Sequence, residues 1–491
     1  MKSIQLKNYK CFENTGEMEL RPLNFLVGSN SSGKSSFLEF FPLLQQSMKI
    51  NRDGAFLWVG SNVDTNNFET VVRHGEKKIE IDFNLGRVPV ALVNGRPLKY
   101  MEDVMVKIVI STSVFYSDSI EYVEIYFNGQ LVKLELNEVG TDRIEINGEA
   151  MINDEKDDVF HLPNNSLIPS IAFNAPLMEQ HSEKYSKELL SWFKSNLKEN
   201  ERLMPGSLIF RPRYVFDRQT FEDMIKRQLK AEVAPEELNH IYNLSLLFNI
   251  NELIDIINYY MIELSDKIEF IQPLRANAER YYRKRNISVS KISPSGDNIA
   301  MFFLRLKKEN KLVDFNDWLN VNNFEFWVDL NEEGGFVEMK IVEKDKEGQN
   351  MVDVGFGYSQ ILPILATIWK ELYYVDEMSR SRTGYCSTNL ILIEQPELHL
   401  HPRFQIKFSE MLAKCVEQAV NAGVDIKFII ETHSQDIINN IGRNIAYKKF
   451  NPDWVNIYLF NAQHENMENY IEKAGFTNEG FLNNWPVGFF S

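Results

Sequence analysis

Residues 28–35 read GSNSSGKS and have the composition of a loop that binds phosphate groups. They match the pattern GxxxxGK followed by Ser or Thr, and they lie between a predicted strand and a predicted helix, where this pattern is most specific. Backbone N–H groups of such a loop and of the following helix surround phosphate oxygens. Lys34 is expected to neutralise the β- and γ-phosphates of ATP, and Ser35 to bind Mg²⁺ through its hydroxyl group. The predicted contacts are Asn30, Ser31, Ser32, Gly33, Lys34, Ser35 and Ser36.

A second segment, LILIEQPE at residues 390–397, ends an apolar strand in carboxylates. In a parallel sheet the carboxyl end of such a strand faces the bound phosphates. Glu394 is therefore predicted to bind Mg²⁺ together with Ser35, either directly or through water.

Gln395 occupies the position at which many nucleotide hydrolases place a second carboxylate that activates water. A glutamine orients a water molecule but cannot accept its proton. Three interpretations stay open: hydrolysis is slow, as suits a switch; Glu397 or Glu431 supplies the base; or Gln395 only positions water and turnover is normal. The sequence favours slow hydrolysis, with Gln395, Glu394 and Glu397 as catalytic candidates.

His433 lies in a third segment, FIIETHS at 428–434, where another apolar strand ends in polar residues. Its imidazole is a further catalytic candidate, as a hydrogen-bond partner of the γ-phosphate or of the attacking water. A single histidine at a strand end also occurs for purely structural reasons, and the sequence leaves both interpretations open.

Two further clusters have competing interpretations. His399 and His401 have the spacing of metal ligands, but no matching cysteine or carboxylate set accompanies them, so a turn beside the nucleotide is favoured. The stretch from Arg275 to Arg285 is basic and contains two tyrosines, whereas the whole chain has a net charge of −16 and repels nucleic acid. It is predicted either to contact nucleic acid or phosphate, or to form a solvated or subunit-bridging face. Its members are Arg275, Arg280, Tyr281, Tyr282, Arg283, Lys284 and Arg285.

Hydrophobic periodicity predicts the elements that position the first segments. A strand precedes the phosphate loop, and a helix follows it over about residues 35–48. From 68 to 150 apolar and polar residues alternate, which predicts antiparallel strands with a hairpin turn at Asn128 and Gly129. From 178 to 266 the apolar spacing is mainly helical.

The second half of the chain combines strands and helices. Residues 267–274 return to a strand, and 324–344 predict a hairpin that turns at a Glu-Glu-Gly-Gly sequence. A loop and a helix follow from about residue 354, and the apolar strands that end in Glu394 and Glu431 flank another predicted helix.

The composition bounds the class of protein. A length of 491 residues with 44% apolar residues fits two to three globular domains. Cys11, Cys386 and Cys415 are scattered without paired spacing, which suits a reducing cytosol. No run of 18 apolar residues is present, so a cytoplasmic protein with no membrane span is expected.

The order of these segments, with VGFGYSQ at 354–360 before the strand that ends in Glu394, resembles the ABC-type ATPase heads of the SMC and OLD-like families. The resemblance covers about residues 1–60 and 350–440. It implies an α/β fold in which a P-loop ATPase head carries an antiparallel β subdomain and an inserted helical region. It also implies that 354–360 is a signature motif that contacts the γ-phosphate of ATP held by a second subunit. The implied contacts are Gly355, Gly357, Ser359 and Gln360.

Four ranges are expected on this basis. Residues 1–175 form the N-terminal half of the head with a β-rich subdomain, and 176–268 form the helical insertion. Residues 269–440 form the C-terminal half of the head, and 441–491 form a tail domain. The implied assembly is a homodimer or a higher homo-oligomer with ATP and Mg²⁺ between the heads.

The segments IEQPELHLHP, ETHS, PLRANAERYY and NWPVGFF resemble a bacterial family of small AAA ATPases. Several members are ATPase subunits of antiphage systems such as PARIS, Septu and retrons. This resemblance implies an ATP-driven sensor or scaffold that controls a separate toxin or nuclease. Two other functions stay open: a DNA-repair-type ATPase that clamps DNA directly, and a stand-alone nuclease with an unrecognised site within residues 68–330.

Overall fold

The computed structural model describes residues 1–50, 52, 54–93, 96–113, 118–136, 141–152, 159–162, 166–173, 187–196, 215–284, 289–374, 384–460 and 471–485. The chain divides into two compact units. The first unit comprises Met1–Glu19, Leu43–Asp266 and Arg382–Cys386. The second unit comprises Leu20–Pro42, Lys267–Ser381 and Ser387–Ser491. The four sequence ranges expected above stay a prediction.

The strands within the described residues are β1 (Ser3–Tyr9), β2 (Phe12–Asn14), β3 (Met18–Glu19), β4 (Leu23–Gly28), β5 (Lys78–Val93), β6 (Arg96–Thr112), β7 (Asp118–Phe127), β8 (Gln130–Leu136), β9 (Thr141–Ile146), β10 (Glu149–Ile152), β11 (Val159–Leu162), β12 (Ser170–Phe173), β13 (Ile268–Ile271), β14 (Tyr282–Arg283), β15 (Phe326–Glu333), β16 (Phe336–Glu343), β17 (Gln349–Asn350), β18 (Asn389–Glu394), β19 (Ile426–Glu431), β20 (Val455–Phe460), β21 (Ile471–Phe476) and β22 (Leu482–Asn483). The helices are α1 (Lys34–Leu38), α2 (Phe40–Ser47), α3 (Phe68–Val71), α4 (187–196), α5 (Arg218–Gln228), α6 (Pro235–Phe248), α7 (Ile250–Asp266), α8 (Ile299–Lys308), α9 (Leu312–Val321), α10 (Phe356–Tyr373), α11 (Pro402–Asn421) and α12 (Gln435–Ala446).

The first unit contains an antiparallel sheet in the order β10-β9-β8-β7-β6-β5-β1-β2, with β3 beside β1. Alternate residues of β7 are buried, namely Val123, Ile125 and Phe127, as expected for a sheet with one covered face. Asn128 and Gly129 join β7 to β8 with positive φ angles of 48° and 76°. A two-residue hairpin needs this conformation at both positions, so the predicted turn is confirmed.

Helices α4 to α7 also belong to the first unit. The predicted helix near residue 250 is confirmed as α7, whose apolar side chains are largely buried. Leu189 and Phe193 of α4 are buried on one face, as their spacing predicts. Two parts of the predicted helical region, 178–186 and 197–214, lie outside the described residues.

The second unit is built on a sheet in the order β13-β18-β19-β4-β20-β21-β22. The strands from β13 to β20 in this order are parallel, and β21 and β22 are antiparallel. Strands β4, β18, β19 and β20 are almost entirely buried and apolar, as is typical of parallel strands covered on both faces. Their carboxyl ends therefore meet at one edge of the sheet.

A second sheet in this unit contains the hairpin β15–β16, flanked by β14 and β17. Gly334 and Gly335 form its turn with positive φ angles, which confirms the predicted hairpin. No helix within the described part of the chain is long and apolar enough to cross a bilayer.

Candidate nucleotide-binding site

The loop after β4 has the backbone of a phosphate-binding loop. Ser31 and Gly33 have φ angles of 62° and 99°, and α1 begins at Lys34. A side chain at Gly28 would place its Cβ 2.4 Å from the carbonyl oxygen of Phe460 and 2.7 Å from Ser32 Oγ. Glycine is therefore required where β4 passes β20 and the loop begins.

Lys34 lies beneath this loop and is buried. Its ammonium group donates hydrogen bonds to the carbonyl oxygens of Gly28, at 3.1 Å, and Ser29, at 2.8 Å. Glu431 Oε1 lies 3.8 Å from the same nitrogen. Burial lowers the pKa of Lys34, although the charges of Glu431 and Glu397 oppose this effect. A positive charge with little access to water attracts phosphate strongly.

Glu431, at the end of β19, contacts the phosphate loop directly. Ser35 donates a hydrogen bond from Oγ to Glu431 Oε2 at 2.8 Å. Burial raises the pKa of Glu431, although the Ser35 hydrogen bond and the charge of Lys34 lower it. From the sequence alone, Glu431 is expected only as an alternative base, and Glu394 is expected to hold Mg²⁺ together with Ser35. The missed signal is that FIIE ends an apolar strand in an acid just as LILIE does.

Glu394 and Gln395 lie at the end of β18, which pairs with β19 so that Glu394 is opposite Glu431. Glu394 is buried at this edge of the sheet. Gln395 has a φ angle of 42°, and its N–H donates a hydrogen bond to the carbonyl oxygen of Glu431 at 2.8 Å. The structure thus brings the predicted acid and glutamine to the edge at which the phosphate loop begins.

Glu397 connects the segment after β18 to the segment after β19. Its Oε2 accepts a hydrogen bond from Thr432 Oγ1 at 2.8 Å, and its Oε1 accepts one from the backbone N–H of His433 at 2.7 Å. Burial raises the pKa of Glu397, although these hydrogen bonds and the charge of Arg275 lower it.

His433 is the exposed residue of this strand end. Partial burial and the charge of Lys34 lower the pKa of its imidazole. The ring is therefore neutral at physiological pH and retains one donor and one acceptor nitrogen. Both are suitable for a hydrogen bond with a phosphate oxygen or a water molecule.

The VGFGYSQ segment forms the start of α10, as the sequence predicts. Gly355 precedes the helix with a φ angle of 102°, and both Gly355 and Phe356 are exposed. The side chains of Ser359 and Gln360 are buried in the single chain, and their contact with a nucleotide on another subunit stays a prediction. Ser359 Oγ donates to the carbonyl oxygen of Phe356, and Gln360 Nε2 lies 3.3 Å from Ser359 Oγ. Both side chains are therefore engaged inside the helix start.

The two histidines near this helix have structural contacts. His401 caps α11 by accepting a hydrogen bond from the N–H of Arg403, and His399 packs edge-on against Phe356. Within the described residues, no group of three or more His, Cys, Asp or Glu side chains is arranged to hold a metal ion. These contacts agree with the favoured interpretation of a turn.

Arg275 does not belong to the exposed part of the basic stretch, which corrects the prediction for this residue, whereas Arg280, Tyr281, Arg283 and Lys284 are exposed. Arg275 is buried, because its guanidinium group lies against the end of β18. Arg280 forms a bidentate pair with Asp353, and Lys284 pairs with Glu332 at 2.6 Å. Arg285 lies outside the described residues.

The side chains at this edge fit Mg²⁺ and a nucleotide. The hydroxyl of Ser35 and the carboxylate of Glu431 provide oxygen ligands, which Mg²⁺ prefers, and Lys34 provides the compensating positive charge. When bound, Mg²⁺ would polarise phosphate oxygens and offset their charge.

Comparison with known families agrees with this geometry. Residues 1–438 match the AAA ATPase domain family. The chain belongs to this family. It is an ATPase, and the predicted α/β fold of a P-loop ATPase domain is confirmed.

Individual relatives are more distant. DNA replication and repair protein RecF of Acetivibrio thermocellus is 29% identical over 108 residues, which are 21% of this chain and 28% of that protein. The chain thus matches less than a third of the length of this relative.

Among solved structures, the Smc head domain of Pyrococcus furiosus, bound to the C-terminal domain of ScpA, is 12% identical with a TM-score of 0.37. That alignment covers 97% of this chain and 96% of the other. The SMC head domain of Thermotoga maritima is 10% identical with a TM-score of 0.33 over 94% of each chain.

Proposed function

We propose that this ATPase is a slow, ATP-dependent switch in which bound ATP joins two copies of the chain and hydrolysis separates them. Lys34 and the loop bind the phosphates in this proposal, and Ser35, Glu431 and Glu394 hold Mg²⁺. Gln395 orients the attacking water, and His433 contacts the γ-phosphate.

The residue that carries the proposal of slow turnover is Gln395. Its amide cannot accept a proton, so another group must act as the base. Glu397 has both carboxylate oxygens in hydrogen bonds to Thr432 and His433. Glu431 is hydrogen-bonded to Ser35 and lies near Lys34. Although raised pKa values suit Glu397 and Glu431 to accept a proton, each carboxylate already has another role in the site.

The exposed start of α10 supports the proposal of pairing. Gly355 and Phe356 leave the N-terminus of a helix of 18 residues accessible. Such a terminus carries partial positive charge and attracts phosphate. In the proposed pair, this helix start contacts the γ-phosphate of ATP that the other copy holds. The proposed contacts come from Gly355, Gly357, Ser359 and Gln360, together with the exposed Phe356.

The proposed biological role is that of a sensor or scaffold subunit in a bacterial antiviral defence complex. The support is the sequence resemblance to ATPase subunits of antiphage systems, and the proposed partner is a separate toxin or nuclease. A cytoplasmic location is part of this proposal. Co-purification of a toxin or nuclease with the unmodified chain tests this role, and purification without any such partner contradicts it.

Changing Gln395 to Glu tests slow turnover. This substitution adds the missing base and is expected to raise the rate of ATP hydrolysis by about a hundredfold. Gln395→Ala is the control, because it removes the amide without adding a carboxylate. An unchanged rate in Gln395→Glu contradicts the proposal and assigns the base to Glu397 or Glu431.

A further inference from the structure

Arg275 lies four residues after β13, the strand that pairs with β18. Its guanidinium Nη2 donates to the carbonyl oxygen of Glu394 at 2.8 Å, and lies 3.4 Å from that of Gln395. Arg275 is 4% exposed. One buried cation therefore contacts two consecutive carbonyl groups at the carboxyl end of β18.

This arrangement is costly for the folded protein. Arg275 Nε and Nη1 are buried without a hydrogen-bond partner among the described residues. Burial lowers the pKa of Arg275 to about 10, although the charges of Glu397 and Glu394 raise it. Buried donors without partners reduce stability. Within the described residues, the hydrogen bonds of this guanidinium group go to the main chain at the end of β18.

The contact with Arg275 helps to hold the main-chain conformation of Gln395. Its φ angle of 42° is unfavourable for a residue with a side chain, and such a conformation persists only where neighbouring groups fix it. The N–H of Gln395 donates to Glu431, and its carbonyl oxygen accepts from the N–H of Leu398 at 3.2 Å. Arg275 adds a second contact to this carbonyl oxygen, which is the third contact of the Gln395 main chain, and it fixes the preceding peptide as well.

We infer that Arg275 is a positioning residue for ATP hydrolysis, which fixes the main chain of Glu394 and Gln395 so that their side chains face the phosphates. The inference rests on the roles proposed above for these two residues. Without the guanidinium group the end of β18 relaxes, and the water that Gln395 orients is no longer aligned. ATP affinity depends on the phosphate loop and is retained.

The first test measures kcat and KM for ATP in Arg275→Ala and Arg275→Lys. Loss of a supporting residue of this kind is expected to lower kcat by about tenfold to a hundredfold. KM should change by less than about threefold, a difference of under 1 kcal/mol. Lysine retains the positive charge but not the planar guanidinium group, so the kcat of Arg275→Lys should lie between those of Arg275→Ala and the unmodified chain. Arg87→Ala, which removes an exposed arginine paired with Glu102, is the control.

Chemical rescue separates positioning from folding. Millimolar guanidinium should restore part of the activity of Arg275→Ala, whereas the same concentration of tetramethylammonium should not. If Arg275→Ala does not fold, the kcat and KM of Arg275→Lys decide alone. An unchanged kcat overturns the inference, and so does a loss of activity that follows the unfolding temperature and is not rescued.

A double-mutant cycle tests whether Arg275 acts through Gln395. Arg275→Ala should cost much less activity in a Gln395→Ala background than in the unmodified chain, because both changes disrupt one arrangement. If the loss of activity in the double variant equals the product of the losses in the two single variants, the inference is overturned. Failure of the proposed switch can be told apart from failure of this inference. If only the switch is wrong, the unmodified chain hydrolyses ATP rapidly and Arg275→Ala still lowers kcat.

Discussion

Glu431 is the carboxylate that contacts the phosphate loop, so its negative charge should contribute to Mg²⁺ binding. Its hydrogen bond to the Ser35 hydroxyl joins β19 to the start of α1, directly after the phosphate loop. Glu431→Gln retains an acceptor for this hydrogen bond but removes the negative charge. The Mg²⁺ concentration for half-maximal hydrolysis should rise by about tenfold. Titration of the ATPase rate with Mg²⁺ measures this change.

The matched control is Glu417→Gln, on an exposed position of α11. It should leave the Mg²⁺ dependence unchanged. Glu431→Gln could also leave the Mg²⁺ dependence of hydrolysis unchanged, while Glu394→Gln raises the Mg²⁺ concentration that is needed. In that case Mg²⁺ is held by Glu394, as the sequence alone predicts. That result would contradict the role proposed for Glu431.

Residues differ in how far their roles follow from the sequence. Lys34 and Ser35 belong to a local pattern of eight residues, so their place in the loop is predictable. The bond between Ser35 and Glu431 joins positions 396 residues apart and depends on β19 lying beside β4. The burial of Arg275 depends likewise on β13 lying beside β18. Neither strand pairing can be predicted from the spacing of residues along the sequence.

His240 joins α6 to β10 and α4 of the first unit. Its Nδ1 contacts Glu149 of β10, and its Nε2 lies 3.0 Å from Glu188 of α4. Burial lowers the pKa of His240, but the hydrogen bonds to Glu188 and Glu149 outweigh it and raise the pKa. The imidazolium form is therefore more favourable in the folded chain than in the unfolded chain.

The raised pKa of His240 predicts pH-dependent stability. Its contribution is fully present below the ordinary histidine pKa and is lost as the pH rises through the raised value. His240→Gln should therefore lower the unfolding temperature near pH 6 and have little effect near pH 9, as measured by thermal denaturation. His74→Gln, at an exposed position, is the control. An equal effect of His240→Gln at both pH values would exclude this linkage.

The elements of both units were largely predictable, because their periodicity is local. The alternation in β7 and the Gly334-Gly335 turn are examples. The predicted helix after the phosphate loop is divided at Glu39 into α1 and α2. The sequence also shows Ser359 and Gln360 near a helix start, but not the direction that each faces. That direction depends on the packing of α10 against the rest of its unit.

In the proposed assembly, each ATP site is shared between two copies of the chain. A Cβ atom at Gly357 would lie 3.3 Å from the carbonyl oxygen of His399, so the start of α10 has little room for a side chain. Gly357→Trp should retain ATP binding but lose hydrolysis, because the helix start can no longer approach a phosphate. Lys34→Ala should lose ATP binding instead.

Mixing these two variants should restore part of the ATPase rate. Each mixed pair would contain one intact loop opposite one intact helix start, and therefore one complete site. The rate should pass through a maximum as the mixing ratio is varied. Mixed pairs that form with ATP but give no activity at any ratio would show that one complete site is insufficient for turnover.

The most direct test of the proposed switch is the molar mass of the unmodified chain in solution, measured by light scattering with Mg²⁺ and either ATP or ADP. Slow hydrolysis predicts pairs of chains in ATP that persist until the ATP is consumed, and separate chains in ADP. Gln395→Glu should shorten the lifetime of the pairs in proportion to its faster hydrolysis. The same mass in ATP and ADP would contradict the account.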